Sequence, residues 1–248
     1  MRLSLFLPLV FLIPQSHANP LFDGFTADYE VSKNGTVLGI STRHLVSREQ
    51  GQKLDYASTT IPKGLIALFV TDKFMEHSLI YVTPKGLRPQ RYEFQRTGGK
   101  KEVTFQARFD WQKKLITMSS HPAPQPLLPN TQDLLSFQLA LMQGLTKGQR
   151  QFDFHIVDHK RIQLQKLVYK KTVKMQSSIG SLDILQLQHQ SAKSHYRFTF
   201  WCAKQLHFLP VKITKTEQDG DIIQLKLQQF NKKGVQLYDA SPELNSDF

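Results

Sequence analysis

The chain has 248 residues, 40% of them hydrophobic, enough for one sizeable core at the upper end of single-domain length. Its 32 Lys and Arg side chains against 20 Asp and Glu give a formal charge of +12. A sole cysteine, Cys202, excludes an intrachain disulfide and, following Trp201 at the end of an aromatic strand, reads as a packing residue.

Arg2, the apolar run from Leu3 to Pro14 and the small residues Ser16 and Ala18 have the layout of a cleavable secretory signal, cut before Asn19. The run falls short of the roughly 20 apolar residues of a spanning helix, and Pro8 and Pro14 interrupt it. An uncleaved N-terminal anchor is the alternative. No cysteine lies near the cut, so a lipoprotein is excluded. The expected product, residues 19–248, is a single soluble, periplasmic β-rich domain, with two halves joined near 121–130. Losing Arg2 leaves 31 basic against 20 acidic side chains, a formal charge of +11. Nucleic acid is excluded as a partner in that compartment. An anionic membrane surface, lipopolysaccharide phosphates or acidic polymers are the available counter-charges. The basic residues are scattered, which equally suits a background that only maintains solubility.

Period-two alternation then recurs along the chain. Phe25, Ala27, Tyr29 and Val31 alternate with polar residues, and Asn34-Gly35 follows as a type I′ turn signal. The apolar run 64–70 reads as a short helix, a lid or a buried strand. Thr97 to Lys100 marks a turn before Val103, Phe105, Ala107, Phe109 and Trp111, which again share one face. His121 to Pro129 is proline-rich and extended. A helix follows, with Asn130 or Thr131 as N-cap, Asp133 in the first turn and Gly144 placed to end it. Leu134, Phe137, Leu141 and Leu145 lie on one face, flanked by Leu135, Leu139 and Met142, so a sheet must cover the helix broadly. Phe152, Phe154 and Ile156 open the later strands, with a turn at Asp158-His159-Lys160. Tyr196, Phe198 and Phe200 alternate with Arg197, Thr199 and Trp201, and Asp219-Gly220 turns the chain into Ile223, Leu225 and Leu227.

Roughly a dozen strands at this spacing predict a mainly β fold. The expected architecture is a strongly curved antiparallel sheet, an open or partial barrel, with the apolar helix packed in its concavity. A two-sheet sandwich is the alternative.

No phosphate loop, nucleophile elbow or paired-cysteine zinc spacing occurs. His155 and His159 would share a face on a helix, but on a strand four residues separate them by roughly 13 Å, too far for one metal ion. Ser136 and Asp133 lack a histidine at an interpretable spacing. The expectation is therefore no catalytic residue, no metal and no cofactor. The large aromatic faces suggest instead an apolar groove inside the sheet, lined by Trp111, Leu134, Phe137, Phe198 and Trp201.

The sequence resembles domain-of-unknown-function family 3108 over most of the expected mature chain. The likeness begins with Tyr29-Glu30-Val31, Gly35 and Leu38-Gly39, then Gly86-Leu87-Arg88-Pro89, Tyr92 and Phe109-Asp110-Trp111. It continues with Gln132-Asp133-Leu134-Leu135-Ser136-Phe137, Trp201, Leu209-Pro210-Val211 and Asp219-Gly220. The resemblance implies an exported bacterial envelope protein without an assigned activity, and supplies no catalytic residues. By architecture the chain also looks like curved half-barrels that ferry lipoproteins or sense envelope stress. The expected function is binding of a lipid or lipoprotein-like envelope molecule in the concave face. The alternatives are an assembly or scaffolding factor with an unknown protein partner, and a hydrolase of envelope polymers.

Overall fold

The computed structural model describes residues 22–68, 70–121, 123–177, 179–190 and 196–232. The expected secretory signal, residues 1–18, lies outside them.

Fifteen strands form one sheet. In chain order they are β1 (Phe25–Lys33), β2 (Thr36–Arg48), β3 (Lys53–Pro62), β4 (Lys73–Thr83), β5 (Gly86–Thr97), β6 (Val103–Asp110), β7 (Leu115–Met118) and β8 (Gln125–Pro126). Then come β9 (Thr131–Asp133), helix α1 (Ser136–Thr146), β10 (Gln151–Val157), β11 (Ile162–Ser177), β12 (Gly180–His189), β13 (Tyr196–Ala203), β14 (Leu209–Glu217) and β15 (Ile222–Asn231). Each strand pairs antiparallel with its sequence neighbour, except that β8 and β9 do not pair, and β9 runs parallel to β10. The meander is closed through its first and last strands, since β1 pairs with β15. Its edges are β8 and β9, which only residues 127–130 separate along the chain.

The turns obey their local chemistry. Asn34 and Gly35 both take positive φ (50° and 84°), as a type I′ turn requires. The Asn34 side chain donates to Asp221 Oδ1 at 2.8 Å and accepts from the Ile222 N–H at 2.8 Å, joining the β1–β2 turn to the β14–β15 turn. Register shifts at Asp28/Tyr29, Val31/Ser32, Leu79/Ile80, Tyr169/Lys171 and Trp201/Cys202 each raise the local twist, and together they curl the sheet. The expected curved sheet is observed, and the sandwich is not. Residues 64–68 form a single 3-10 turn rather than a strand. No described helix is long and apolar enough to cross a membrane.

Helix α1 packs within the concavity. Leu135, just before its first turn, with Leu139 and Met142 belongs to a core built largely from β1–β7. Phe137, Leu141 and Leu145 belong to a second core built from β10–β14. Its broad apolar circumference thus answers a sheet on two sides. The helix begins later than the sequence suggests, because Thr131–Asp133 pairs with β10 as strand β9. Asp133, rather than Asn130 or Thr131, caps it. Its Oδ1 accepts the N–H groups of Leu135 and Ser136 at 2.8 Å each, and Ser136 Oγ accepts the Asp133 N–H at 2.9 Å, a reciprocal capping box. At the other end Gly148 (φ 83°), not Gly144, takes the left-handed position. The Gly148 N–H donates to Leu145 O and the Gln149 N–H to Gly144 O, a Schellman motif.

On the outer face His77 lies between Asp55 (2.5 Å) and Glu93 (3.8 Å). These carboxylates raise its pKa to about 9, above the ordinary imidazole value. Its stabilising contribution is therefore complete below pH ~6.5 and disappears as pH rises through 9. His77→Ala is expected to cost about 1 kcal/mol at pH 6, the side chain being 39% exposed and screened by water. Paired urea melts of wild type and variant should show that difference shrinking toward zero at pH 10.

Candidate functional site

The inner face of the first half carries an unusual polar row. Register places Arg43 of β2 opposite Ala27 on one side and Ser58 on the other. Ser58 lies opposite Glu76 of β4, and Glu76 opposite Phe94 of β5. Ala27 and Ser58 are small, which leaves room for the guanidinium and carboxylate beneath α1. Arg43 is only 6% exposed. Its Nη1 donates to Gln138 Oε1 on α1, and its guanidinium carbon lies 4.7 Å from the centre of the Tyr29 ring. Among the described residues its Nε has no hydrogen-bond partner. Glu76 is partly buried, and Oε1 accepts the Tyr92 hydroxyl at 2.6 Å. Withdrawal from water raises the Glu76 pKa, against the opposing effects of the Tyr92 hydrogen bond and the Arg43 charge.

Between this row, α1 and the second half lies an open cavity of about 470 Å³. Its apolar wall is built from Phe137 of α1 and from Phe198, Phe200, Ile156, Leu167 and Ile213, inward positions of β10, β11, β13 and β14. Phe137 meets Phe200 edge-on, ring centres 5.6 Å apart, and Phe198 lies 6.1 Å from Phe200. A polar ledge runs along one side, where Gln165 donates to the Tyr196 hydroxyl and that hydroxyl donates to Gln163, both at 3.0 Å.

The mouth is formed by the β10–β11 turn and Lys215. Asp158 Oδ1 accepts the Lys160 and Arg161 N–H groups, which holds the turn, and both basic side chains face water. His159 reaches across the concavity to stack on Phe94, centroids 4.9 Å apart, and burial lowers its pKa. Lys215 pairs with Glu217 at 2.5 Å.

Three of the five expected cavity residues line this space: Leu134, Phe137 and Phe198. Trp111 and Trp201 do not. Trp111 follows the last residue of β6, so the strand alternation no longer directs it. Its Nε1 donates to Pro89 O at 2.7 Å, and Arg88 covers its ring. Trp201 lies an odd number of residues from Phe198, so the strand's period of two turns it to the opposite face, where Lys212 Nζ sits 4.8 Å from its ring centre. Arg43 and Glu76 were missed. In β2 the alternation is unreadable, because Ile40 and Val46 face outward while Ser41 and Arg43 face inward. An arginine in step with Gly39, Ser41 and Leu45 was the available signal.

His155 and His159 separate as strand geometry requires: His155 Nδ1 lies 2.8 Å from Pro129 O, while His159 packs on Phe94. Ser136 is engaged in the helix cap. Cys202 is fully buried, and burial pushes its thiol pKa up.

Residues 28–228 match the family described as "Protein of unknown function (DUF3108)". No curated protein matches the chain. Among solved structures it is similar to a β-barrel-like protein of domain of unknown function DUF1849 from Brucella abortus, at 12% identity and a TM-score of 0.58. That match covers 85% of this chain and 98% of the other. It is also similar to the complex of MucA and MucB from Pseudomonas aeruginosa, at 11% identity and a TM-score of 0.40, covering 90% of this chain and 56% of the other. The first likeness shows a shared fold, to which the second adds nothing.

Proposed function

We propose that this chain, which belongs to the DUF3108 family, is a non-enzymatic periplasmic protein that binds an apolar or amphipathic envelope molecule in the concavity of its sheet. One observation carries this reading: the cavity of about 470 Å³ between α1 and the aromatic inner faces of β10–β14. Protein interiors ordinarily close to crystal-like packing, and a space of this size falls within the roughly 300–1,000 Å³ of small-molecule sites. One wall is phenylalanine and aliphatic side chains and the facing row, ledge and rim are polar, which favours an amphipathic molecule with a hydrocarbon chain over a fully hydrated solute. Lys160, Arg161 and Lys215 at the mouth suit approach to an anionic surface. The signal-like first 18 residues support export. Ser136 and Cys202, the two nucleophiles raised by the sequence, are held in a helix cap and a dry core respectively, which supports a binding role.

The test is native mass spectrometry of protein recovered from its own periplasm. A heterogeneous adduct of mass typical of a lipid, released by organic solvent, is expected. Trp201→Ala should lower stability yet retain the adduct, because Trp201 lies off the cavity. A clean apo mass, together with no uptake of added lipid, would overturn the reading.

A further inference from the structure

We infer that the cavity takes a long-chain fatty acid and that Arg43 is the counter-ion of its carboxylate. The inference rests on the lipid-binding reading and adds the head-group chemistry and the residue that recognises it.

Arg43 lines the cavity yet is 6% exposed, and among the described residues its Nε has no hydrogen-bond partner. Its contacts are with uncharged groups, the Gln138 carbonyl and the face of the Tyr29 ring, and the Glu76 carboxylate acts on it only through space. Among the described residues no carboxylate forms an ion pair with it. Glu76 lies in the same cross-strand row, but Ser58 stands between them and the Tyr92 hydroxyl occupies Glu76 Oε1. A buried guanidinium without a counter-ion is costly, and a ligand anion removes that cost on binding. The planar guanidinium fork matches a carboxylate in shape and hydrogen-bond geometry.

The charge balance favours a monoanion. One guanidinium neutralises one carboxylate, whereas a phosphate monoester carries further negative charge that it would leave unmatched. From Arg43 and Gln138 the wall continues through Phe137, Phe200 and Phe198, an apolar surface suited to an aliphatic tail. A peptide laid along it would leave amide groups without hydrogen bonds. The cations at the mouth are weaker candidates for the head group. Lys215 already pairs with Glu217, and the Lys160 and Arg161 side chains are hydrated.

Direct binding of radiolabelled oleate and oleyl alcohol, which share one chain and differ in charge, tests the inference at neutral pH and below micellar concentrations. Wild type should bind oleate at least tenfold more tightly than the alcohol. Arg43→Met should bring the two within about threefold of each other, mainly by weakening oleate. The exposed double variant Lys160→Gln/Arg161→Gln should fold and keep the wild-type preference, so the assignment stays testable even if Arg43→Met does not fold. Equal binding of acid and alcohol by wild type would leave the lipid site standing and overturn the role of Arg43. Loss of the preference in the mouth variant would also overturn it, by placing the carboxylate at the rim. Binding of neither ligand would remove the lipid reading itself.

Discussion

Asp133→Ala is expected to be among the most destabilising single substitutions in this protein, lowering unfolding free energy by about 3 kcal/mol in urea titrations. The Asp133 carboxylate is fully buried and serves three donors at once. Oδ1 caps the N–H groups of Leu135 and Ser136, while Oδ2 accepts the Ser78 hydroxyl of β4 at 2.7 Å. Alanine would leave those donors unpaired in a dry site, where each costs of the order of 1–3 kcal/mol before relaxation. Asp133→Asn keeps one acceptor oxygen and should recover part of the loss. If alanine and asparagine variants both melted within about 0.5 kcal/mol of wild type, the cap would not be anchoring the helix to the sheet. The same bonds pin the start of α1 to the first half. Gln132 Nε2 adds to this by donating to the Leu87 carbonyl of β5 at 3.0 Å. Loosening this corner should therefore also weaken ligand retention.

Gly144→Ala should destabilise by about 1–2 kcal/mol, although the replacement favours helix formation by about 1 kcal/mol in isolation. A Cβ at Gly144 would fall well inside contact distance of Phe152 Cε1 and crowd Gln149 Oε1. Gln149 can swing away, but Phe152 is 2% exposed and stacked on Phe154, with ring centres 5.8 Å apart. The helix and β10 must therefore separate, and packing outweighs propensity. Gly144→Val should cost more than alanine. A melting temperature for Gly144→Ala equal to or above wild type would show that the helix can shift without loss. The glycine is thus a spacer inside the helix rather than its stop.

The contrast between Gly144 and Gly148 shows what was legible locally. Both are glycines near the end of an apolar helical pattern, and composition alone does not say which one adopts positive φ. The answer depends on where Phe152 arrives from β10, a tertiary fact. The same holds at the helix start, where Asp133 looks like a first-turn acid until Ser78 and the pairing of β9 with β10 make it the cap.

By itself, the sequence determined the antiparallel β architecture, the turns at Asn34-Gly35, Asp158-His159-Lys160 and Asp219-Gly220, and a helix apolar on most sides. It also marked Leu134, Phe137 and Phe198 as inward-facing residues of the later half. These features follow from a strand period of two, the helical period of 3.6 and the left-handed tolerance of Asn and Gly, all properties of a few neighbouring residues. Tertiary structure decided the rest. Pairing of β1 with β15 places the opening of the sheet in mid-chain, and five register shifts curl it around α1. That curl brings Arg43 and Glu76 of the first half against the aromatic wall of the second. No local pattern could assemble this site, because its residues come from β2, β4, α1 and the strands β10, β11, β13 and β14 and meet only when the sheet bends.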